Sequence, residues 1–296
     1  MLFPGQGTQT PRMGEPWRAS PAWEVVERAE AALGQPLAHL LLDASEADLS
    51  RTREAQLAVL LASLLAWEAV RDQIEAPVAF AGHSLGQITA LIASGALTLE
   101  DGVRLAVSRA DCTQAAADAA PGRMAALIGA GPELADEACA GTDSWLANDN
   151  APGQVVIGGT PAGVDAGTER ARQLGVRRVI PLKVGAAFHT VLMAPAAEAL
   201  APILAATAFS SPSAPIVSNA DAQPYTDAAG WRQRLADHLT SPVRWRSCLE
   251  TLAALGVDTF FEVGPGNVLA ALARRTVPAI VTRGIAVPTD ALLEVA

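Results

Sequence analysis

The chain has 296 residues, half of them apolar and 4% aromatic, enough to bury the core of one large domain or of a domain carrying an insertion. Its formal net charge of −10 argues against nucleic acid or an anionic membrane as a global partner. It has no apolar run of membrane-span length, and Met1-Leu2-Phe3-Pro4-Gly5 lacks the charged and apolar regions of a signal peptide, so the expectation is a cytoplasmic protein with no membrane partner.

From the N-terminus, Met1-Leu2-Phe3 reads as the end of a short strand running into Pro4-Gly5-Gln6-Gly7-Thr8-Gln9. Two glycines around a glutamine let backbone pass close to something, a plain turn or the rim of an α/β active site. Helical pieces are predicted over 22–33 and 37–42, broken at Gly34 and Pro36. A long helix over 53–73 carries Leu57, Leu60, Leu61, Leu64, Leu65 and Trp67, and a helix so apolar belongs against a sheet. Ala79-Phe80-Ala81 then enters Gly82-His83-Ser84-Leu85-Gly86, and a helix runs through Ile88–Ala93. Strand, Gly-x-Ser-x-Gly, helix is the context of a nucleophile elbow, where small residues let a serine hydroxyl stand exposed on a sharp turn. Ser84 is the candidate nucleophile.

A helix over 99–119 carries an apolar side with Val103, Leu105 and Val107 and presents Arg104 and Arg109 elsewhere. The rhythm then changes to strand 124–128, helix 132–140, strand 145–147, strand 154–159, helix 161–174 and strand 178–182. The order βαββαβ is that of a small ferredoxin-like unit inserted in a larger α/β domain. A small-residue loop, Val184 to Ala187, leads to Phe188-His189-Thr190 and a helix over 193–206. With four histidines in the chain, the search for a general base is short. His39 has no partner signal, His83 shares a tight turn with Ser84 and points apart from it, His189 starts a helix after the small-residue loop, a sound place for a base reaching the elbow, and His238 is the spare. Ser84 with His189 makes the best dyad, since a serine hydroxyl is a weak nucleophile until a base takes its proton; no acidic partner stands out. Cys112, Cys139 and Cys248 have no CxxC spacing and predict buried thiols in a reducing compartment; no metal is expected.

Five stretches occur in a telling order: Phe3-Pro4-Gly5-Gln6-Gly7-Thr8-Gln9, Gly82-His83-Ser84-Leu85-Gly86, Asn148-Asp149-Asn150-Ala151-Pro152-Gly153-Gln154, Phe188-His189-Thr190 and Glu262-Val263-Gly264-Pro265-Gly266. Together they resemble the malonyl-CoA:acyl-carrier-protein transacylases and the related acyltransferase domains of polyketide synthases, over nearly the whole chain. The resemblance implies an α/β-hydrolase-like large domain, residues 1–120 and 186–296, with a ferredoxin-like small domain, residues 121–185, and an active site between them. It implies that Ser84 takes the acyl group, that His189 is the base, and that a main-chain carbonyl holds the histidine. That carbonyl belongs to a position usually glutamine and here His238. It implies an oxyanion hole from the backbone N–H groups of Gln6 and Leu85, and a malonyl carboxylate on Arg109, whose planar fork suits a carboxylate. Ala187-Phe188-His189 resembles the malonyl-selective pattern, with the Phe188 ring filling the space of an α-methyl group. Gln87 stands where the family often has an acidic residue, a departure read as tuning of the helix start.

The expected reaction is malonyl transfer from malonyl-CoA through a malonyl-serine to the phosphopantetheine thiol of an acyl carrier protein, in fatty-acid or polyketide synthesis, by a monomer with no cofactor of its own. Arg177, Arg178 and Lys183, or Arg274 and Arg275, are candidate footprints for an acidic carrier. A carrier-clearing hydrolase, the malonyl-transferring subunit of a malonate decarboxylase and a docking module without chemistry are the alternatives on this scaffold.

Overall fold

The computed structural model describes residues 1–74 and 76–292. Among these described residues ten strands form two sheets. The larger takes β1 (Leu2–Phe3), β2 (Phe80–Gly82), β7 (Ile216–Val217), β8 (Pro224–Tyr225), β9 (Thr259–Val263) and β10 (Val281–Ile285) in the order β10-β9-β1-β2-β7-β8. It is parallel except for β8, which returns as a hairpin on β7. Alternate side chains leave a parallel strand on opposite faces, and both faces are covered. Phe3, Phe80, Ile216 and Val263 enter one core, and Leu2, Ala81, Val217 and Phe260 the other.

The helices, in chain order, are α1 (Glu24–Leu33), α2 (Ala38–Leu42), α3 (Thr52–Val70), α4 (Gly86–Ala93), α5 (Leu99–Ala119), α6 (Pro132–Cys139), α7 (Pro161–Gln173), α8 (Ala194–Ala206), α9 (Trp231–Thr240), α10 (Trp245–Ala254) and α11 (Val268–Thr276). α3 is buried almost all round, as its composition requires, and Trp67 meets Phe3 and Phe80 edge-on at 6.2 and 5.8 Å. Thr98 caps α5 by accepting from the Asp101 N–H, and Gly34 ends α1 in the left-handed region. Among the described residues no helix is long and apolar enough to cross a membrane.

The smaller sheet holds β3 (Arg123–Ile128), β4 (Ser144–Ala151), β5 (Gln154–Gly159) and β6 (Arg178–Pro181) in the order β4-β5-β3-β6, all antiparallel. With α6 and α7 it makes the βαββαβ order of a ferredoxin-like unit. The helices cover one face over Leu127, Val155 and Ile157; Met124, Ala126, Ala147 and Val156 lie on the other, with Phe188 packed against them. β4 runs through Asn150, beyond the predicted strand 145–147. Its Asn148-Asp149-Asn150 run is too polar to read as a strand, and register shifts on either side of Asn148-Asp149 accommodate it. This strand docks the small sheet on the chain before α10: the Asp149 N–H donates to the Val243 carbonyl and the Val243 N–H to the Ala147 carbonyl, each at 2.9 Å. Arg246 adds an ion pair to Asp149 at 2.9 Å.

Candidate active site

The elbow follows β2, beside β1 in the middle of the larger sheet, so Ser84 stands at the carboxyl end of a parallel strand, where open α/β sheets place their chemistry. The turn is as tight as the sequence suggested. Ser84 sits at φ +53°, a left-handed conformation that is strained for a residue with a Cβ. A Cβ on Gly86 would lie 2.1 Å from the Phe3 carbonyl oxygen, and one on Gly5 2.4 Å from that of His83. Only glycines allow the 4–9 loop and the elbow to interlock so closely, and that contact brings Gln6 to the serine's side of the cleft.

Ser84 Oγ lies 2.7 Å from His189 Nε2. His189 Nδ1 lies 2.8 Å from the backbone carbonyl of His238. A carbonyl only accepts, so Nδ1 carries the proton and Nε2 presents its lone pair to the serine hydroxyl. His189 is itself at φ +60°, in the turn before α8. Its ring is buried at 5% exposure, and burial, then the Arg109 charge, press its pKa down to about 3. It is therefore neutral at physiological pH, the form a base needs.

The spacing of α5 put Arg109 off that helix's apolar side. In the fold it is only 6% exposed, since α3 and the elbow cover this face as well. Its Nη2 donates to Ser84 Oγ at 3.1 Å and its Nη1 to Gln56 Oε1 at 2.6 Å. No carboxylate pairs with it among the described residues, and burial lowers its pKa to about 10. A buried guanidinium with only neutral partners is a ready receptor for an incoming carboxylate.

The cleft between the sheets has a volume of about 540 Å³, and Gln6, Ser84, Leu85, Arg109, Phe188 and His189 all line it. The N–H groups of Gln6 and Leu85 donate to no protein acceptor among the described residues. The N–H of Ser84 is taken instead by Asn219 Oδ1 at 2.8 Å. Phe188 is half-buried between the large core and the open face of the small sheet. His83 turns away from the serine, as the tight turn implied, and pairs with Asn150 Oδ1 at 2.9 Å. The His238 ring lies over His189 at 4.7 Å, and its buried Nε2 has no hydrogen-bond partner among the described residues. Burial first, and then the neighbouring His189, keep its pKa well below the ordinary histidine value.

Three contacts of the site escape the sequence reading. Gln56 is a long polar side chain among the buried alanines and leucines of α3, the one hint available for it. Asn219 sits two residues beyond β7, again at the carboxyl end of a strand. Gln87, read as tuning of the helix start, is wholly buried, and its Oε1 accepts the Asn219 N–H at 2.8 Å. Of the candidate docking cations, Arg177 and Arg178 are exposed and Lys183 lines the cleft. Arg274 and Arg275 are engaged within the chain: Arg274 donates to Thr282 Oγ1, and Arg275 to Gln154 Oε1 and the Pro152 carbonyl, which clamps the β4–β5 turn to α11.

Residues 1–289 match the acyl transferase domain family. The chain is 38% identical to the malonyl CoA-acyl carrier protein transacylase of Bacillus subtilis, covering 93% of this chain and 89% of that one. It is 36% identical to the protein of that name from Escherichia coli K12, covering 97% and 96%. Among solved structures, a malonyl-transacylase in complex with a type II PKS acyl-carrier protein superposes with TM-score 0.94 at 32% identity, covering 99% of this chain and 97% of that one. The acyl carrier protein S-malonyltransferase of Vibrio cholerae gives 0.91 at 34% identity, covering 96% and 95%. A serine elbow, a carbonyl-held histidine and an unpaired buried arginine thus sit in a chain whose sequence and fold agree from end to end with one set of relatives: it belongs to the acyl transferase domain family.

Proposed function

We propose that this protein moves a malonyl group from malonyl-CoA to the phosphopantetheine thiol of an acyl carrier protein, with Ser84 as the residue that carries it. The observation that supports this reading best is the placement of Ser84 Oγ between a neutral His189 Nε2 at 2.7 Å and a buried Arg109 at 3.1 Å that has no carboxylate of its own. The base asks for a nucleophilic acyl transfer, and the guanidinium asks for an acyl group that ends in a carboxylate.

In the proposed sequence the malonyl carboxylate binds Arg109. Ser84 Oγ attacks the thioester carbon while His189 Nε2 takes its proton. The oxyanion rests on the N–H groups of Leu85 and Gln6. Collapse breaks the carbon–sulfur bond, and CoA leaves as a thiol with the proton from His189. The carrier's thiol then gives its proton to His189 and attacks the malonyl ester, and Ser84 leaves with that proton. The carboxylate also offsets the Arg109 charge that depresses His189, so binding the right substrate strengthens the base. Serine, imidazole and backbone donors suffice for each step, so the reading needs no metal or cofactor beyond the carrier's own arm. Phe188, walling the cleft beside His189, would crowd an α-methyl group and favour malonyl over methylmalonyl. A cytoplasmic setting goes with this reading, supported by the free thiols of Cys112, Cys139 and Cys248.

Intact-protein mass spectrometry after brief mixing with malonyl-CoA, acetyl-CoA and methylmalonyl-CoA tests it. The expected result is a malonyl adduct on the wild type, none on Ser84→Ala, and loss of the adduct on adding a holo carrier protein. Equal loading by acetyl-CoA, with the acyl group passing to water, would replace the transferase reading by a hydrolase.

A further inference from the structure

The strained turn at Ser84 is closed by a ring of hydrogen bonds. The Ser84 N–H donates to Asn219 Oδ1 at 2.8 Å, the Asn219 N–H to Gln87 Oε1 at 2.8 Å, and the Gln87 N–H back to the Ser84 carbonyl at 3.0 Å. Asn219 and Gln87 are both fully buried. The Asn219 carbonyl also accepts from the Arg244 N–H at 3.0 Å, which ties the ring to the start of α10. The amide of Asn219 has its orientation fixed, because an N–H can only be met by its oxygen. A left-handed serine persists only where its surroundings over-determine it, and this ring supplies that constraint from two segments far apart in sequence: the elbow with the first turn of α4, and the chain just beyond β7.

We propose that Asn219, oriented by Gln87, is a positioning residue for the nucleophile, in two respects. It holds the Ser84 backbone at φ +53°, the conformation in which Oγ lies on His189 Nε2. It also occupies the Ser84 N–H, so that the oxyanion is left to the N–H groups of Leu85 and Gln6. The inference rests on the assignment of Ser84 as nucleophile in the proposed function, and deepens it.

Two rate constants test the ring: acylation by malonyl-CoA, and labelling of Ser84 by a fluorophosphonate, which requires an aimed and activated serine but no acyl-CoA. Asn219→Leu keeps the volume and removes the acceptor; Gln87→Met does the same one step away; Asn219→Asp keeps an acceptor oxygen. Displacing a nucleophile by about an ångström costs on the order of a hundredfold in rate. Asn219→Leu is expected to lower both rate constants by about ten- to a hundredfold with KM for malonyl-CoA unchanged, since Arg109 and its hold on Gln56 stay in place for the malonyl carboxylate. Gln87→Met should fall in the same direction by less, and Asn219→Asp should stand at least about tenfold above Asn219→Leu. Rates per active serine equal to wild type in the Leu and Met variants, or Asn219→Asp as slow as Asn219→Leu, would overturn the proposal; if Asn219→Leu does not fold, Gln87→Met decides alone. A wild type that reacts with the fluorophosphonate but not with malonyl-CoA refutes the substrate reading and leaves the ring to be judged by the labelling rates.

Discussion

Replacing Arg109 by methionine should weaken the reaction and strengthen the protein. The guanidinium is only 6% exposed, and burial brings its pKa from about 12.5 down to about 10. A group whose charged form is disfavoured in the folded state costs stability at neutral pH, here about 3 kcal/mol. Against that, the substitution strips Gln56 Oε1 of its 2.6 Å donor, and a buried acceptor left unpaired costs about 1–3 kcal/mol. Methionine refills most of the space of the arginine stem, so the net change is a gain of up to about 2 kcal/mol. For catalysis the balance runs the other way. Two charge-assisted hydrogen bonds to the malonyl carboxylate are worth about 3–6 kcal/mol together, so kcat/KM for malonyl-CoA should fall by about 10² to 10⁴. Acetyl-CoA, with no carboxylate, should react within about tenfold of its wild-type rate. Urea titration gives the first quantity, and stopped-flow acylation with the two thioesters the second. A variant less stable than wild type, or one that loses malonyl and acetyl transfer alike, would refute the account of Arg109 as a charge held in reserve for the substrate.

Two more predictions come from the same geometry. Gly86→Ala drives a Cβ to 2.1 Å from the Phe3 carbonyl oxygen, against backbone rather than a side chain that could swing aside. The expected loss is about 3 kcal/mol or more, read by thermal unfolding, and a variant within about 1 kcal/mol of wild type would mean that the elbow is looser than described. The buried pair His189 and His238 sets an acid limit. Both are held below the ordinary histidine value, so below about pH 6.5 the unfolded chain binds protons that the folded chain does not. Stability is fully present above that pH and declines as pH falls toward about 3, the His189 value, by up to about 1.4 kcal/mol per pH unit for each ring. His238→Gln should halve the pair's contribution to that slope while leaving acylation little changed, because the backbone carbonyl, not the ring, meets His189 Nδ1. An unaltered slope, or acylation lost with the ring, would contradict this.

Much of the fold was legible because its signals are local. The apolar α3, the break after α1 at Gly34, and the alternation of helix and strand in the small sheet all rest on residues close together in the chain. The C-terminal third was not. β7 and β8 have two residues each, too few to show a period. β9 and α9 to α11 owe their faces to neighbours far away in sequence. The site divides the same way. Ser84 carries its own signature, since the glycines around it are demanded by the turn itself. Arg109 does not: the helix period placed it off the apolar side, and only the packing of α3 and the elbow around α5 turned that position into a buried one.

The sequence by itself determined the elbow, the βαββαβ insertion and the short list of bases, because each is fixed by what a few adjacent residues can do, while the glycine loop at 4–9 could still be a plain turn until the fold set it against the elbow. Tertiary structure alone decided that His189 reaches Ser84 across 105 positions and that what meets His189 Nδ1 is the His238 carbonyl, an atom every residue has. It also brought Asn219 and Gln87 into hydrogen bonds around the Ser84 turn. Those roles depend on distance and burial, which arise only when the chain closes on itself and excludes the water that would otherwise satisfy the same polar groups.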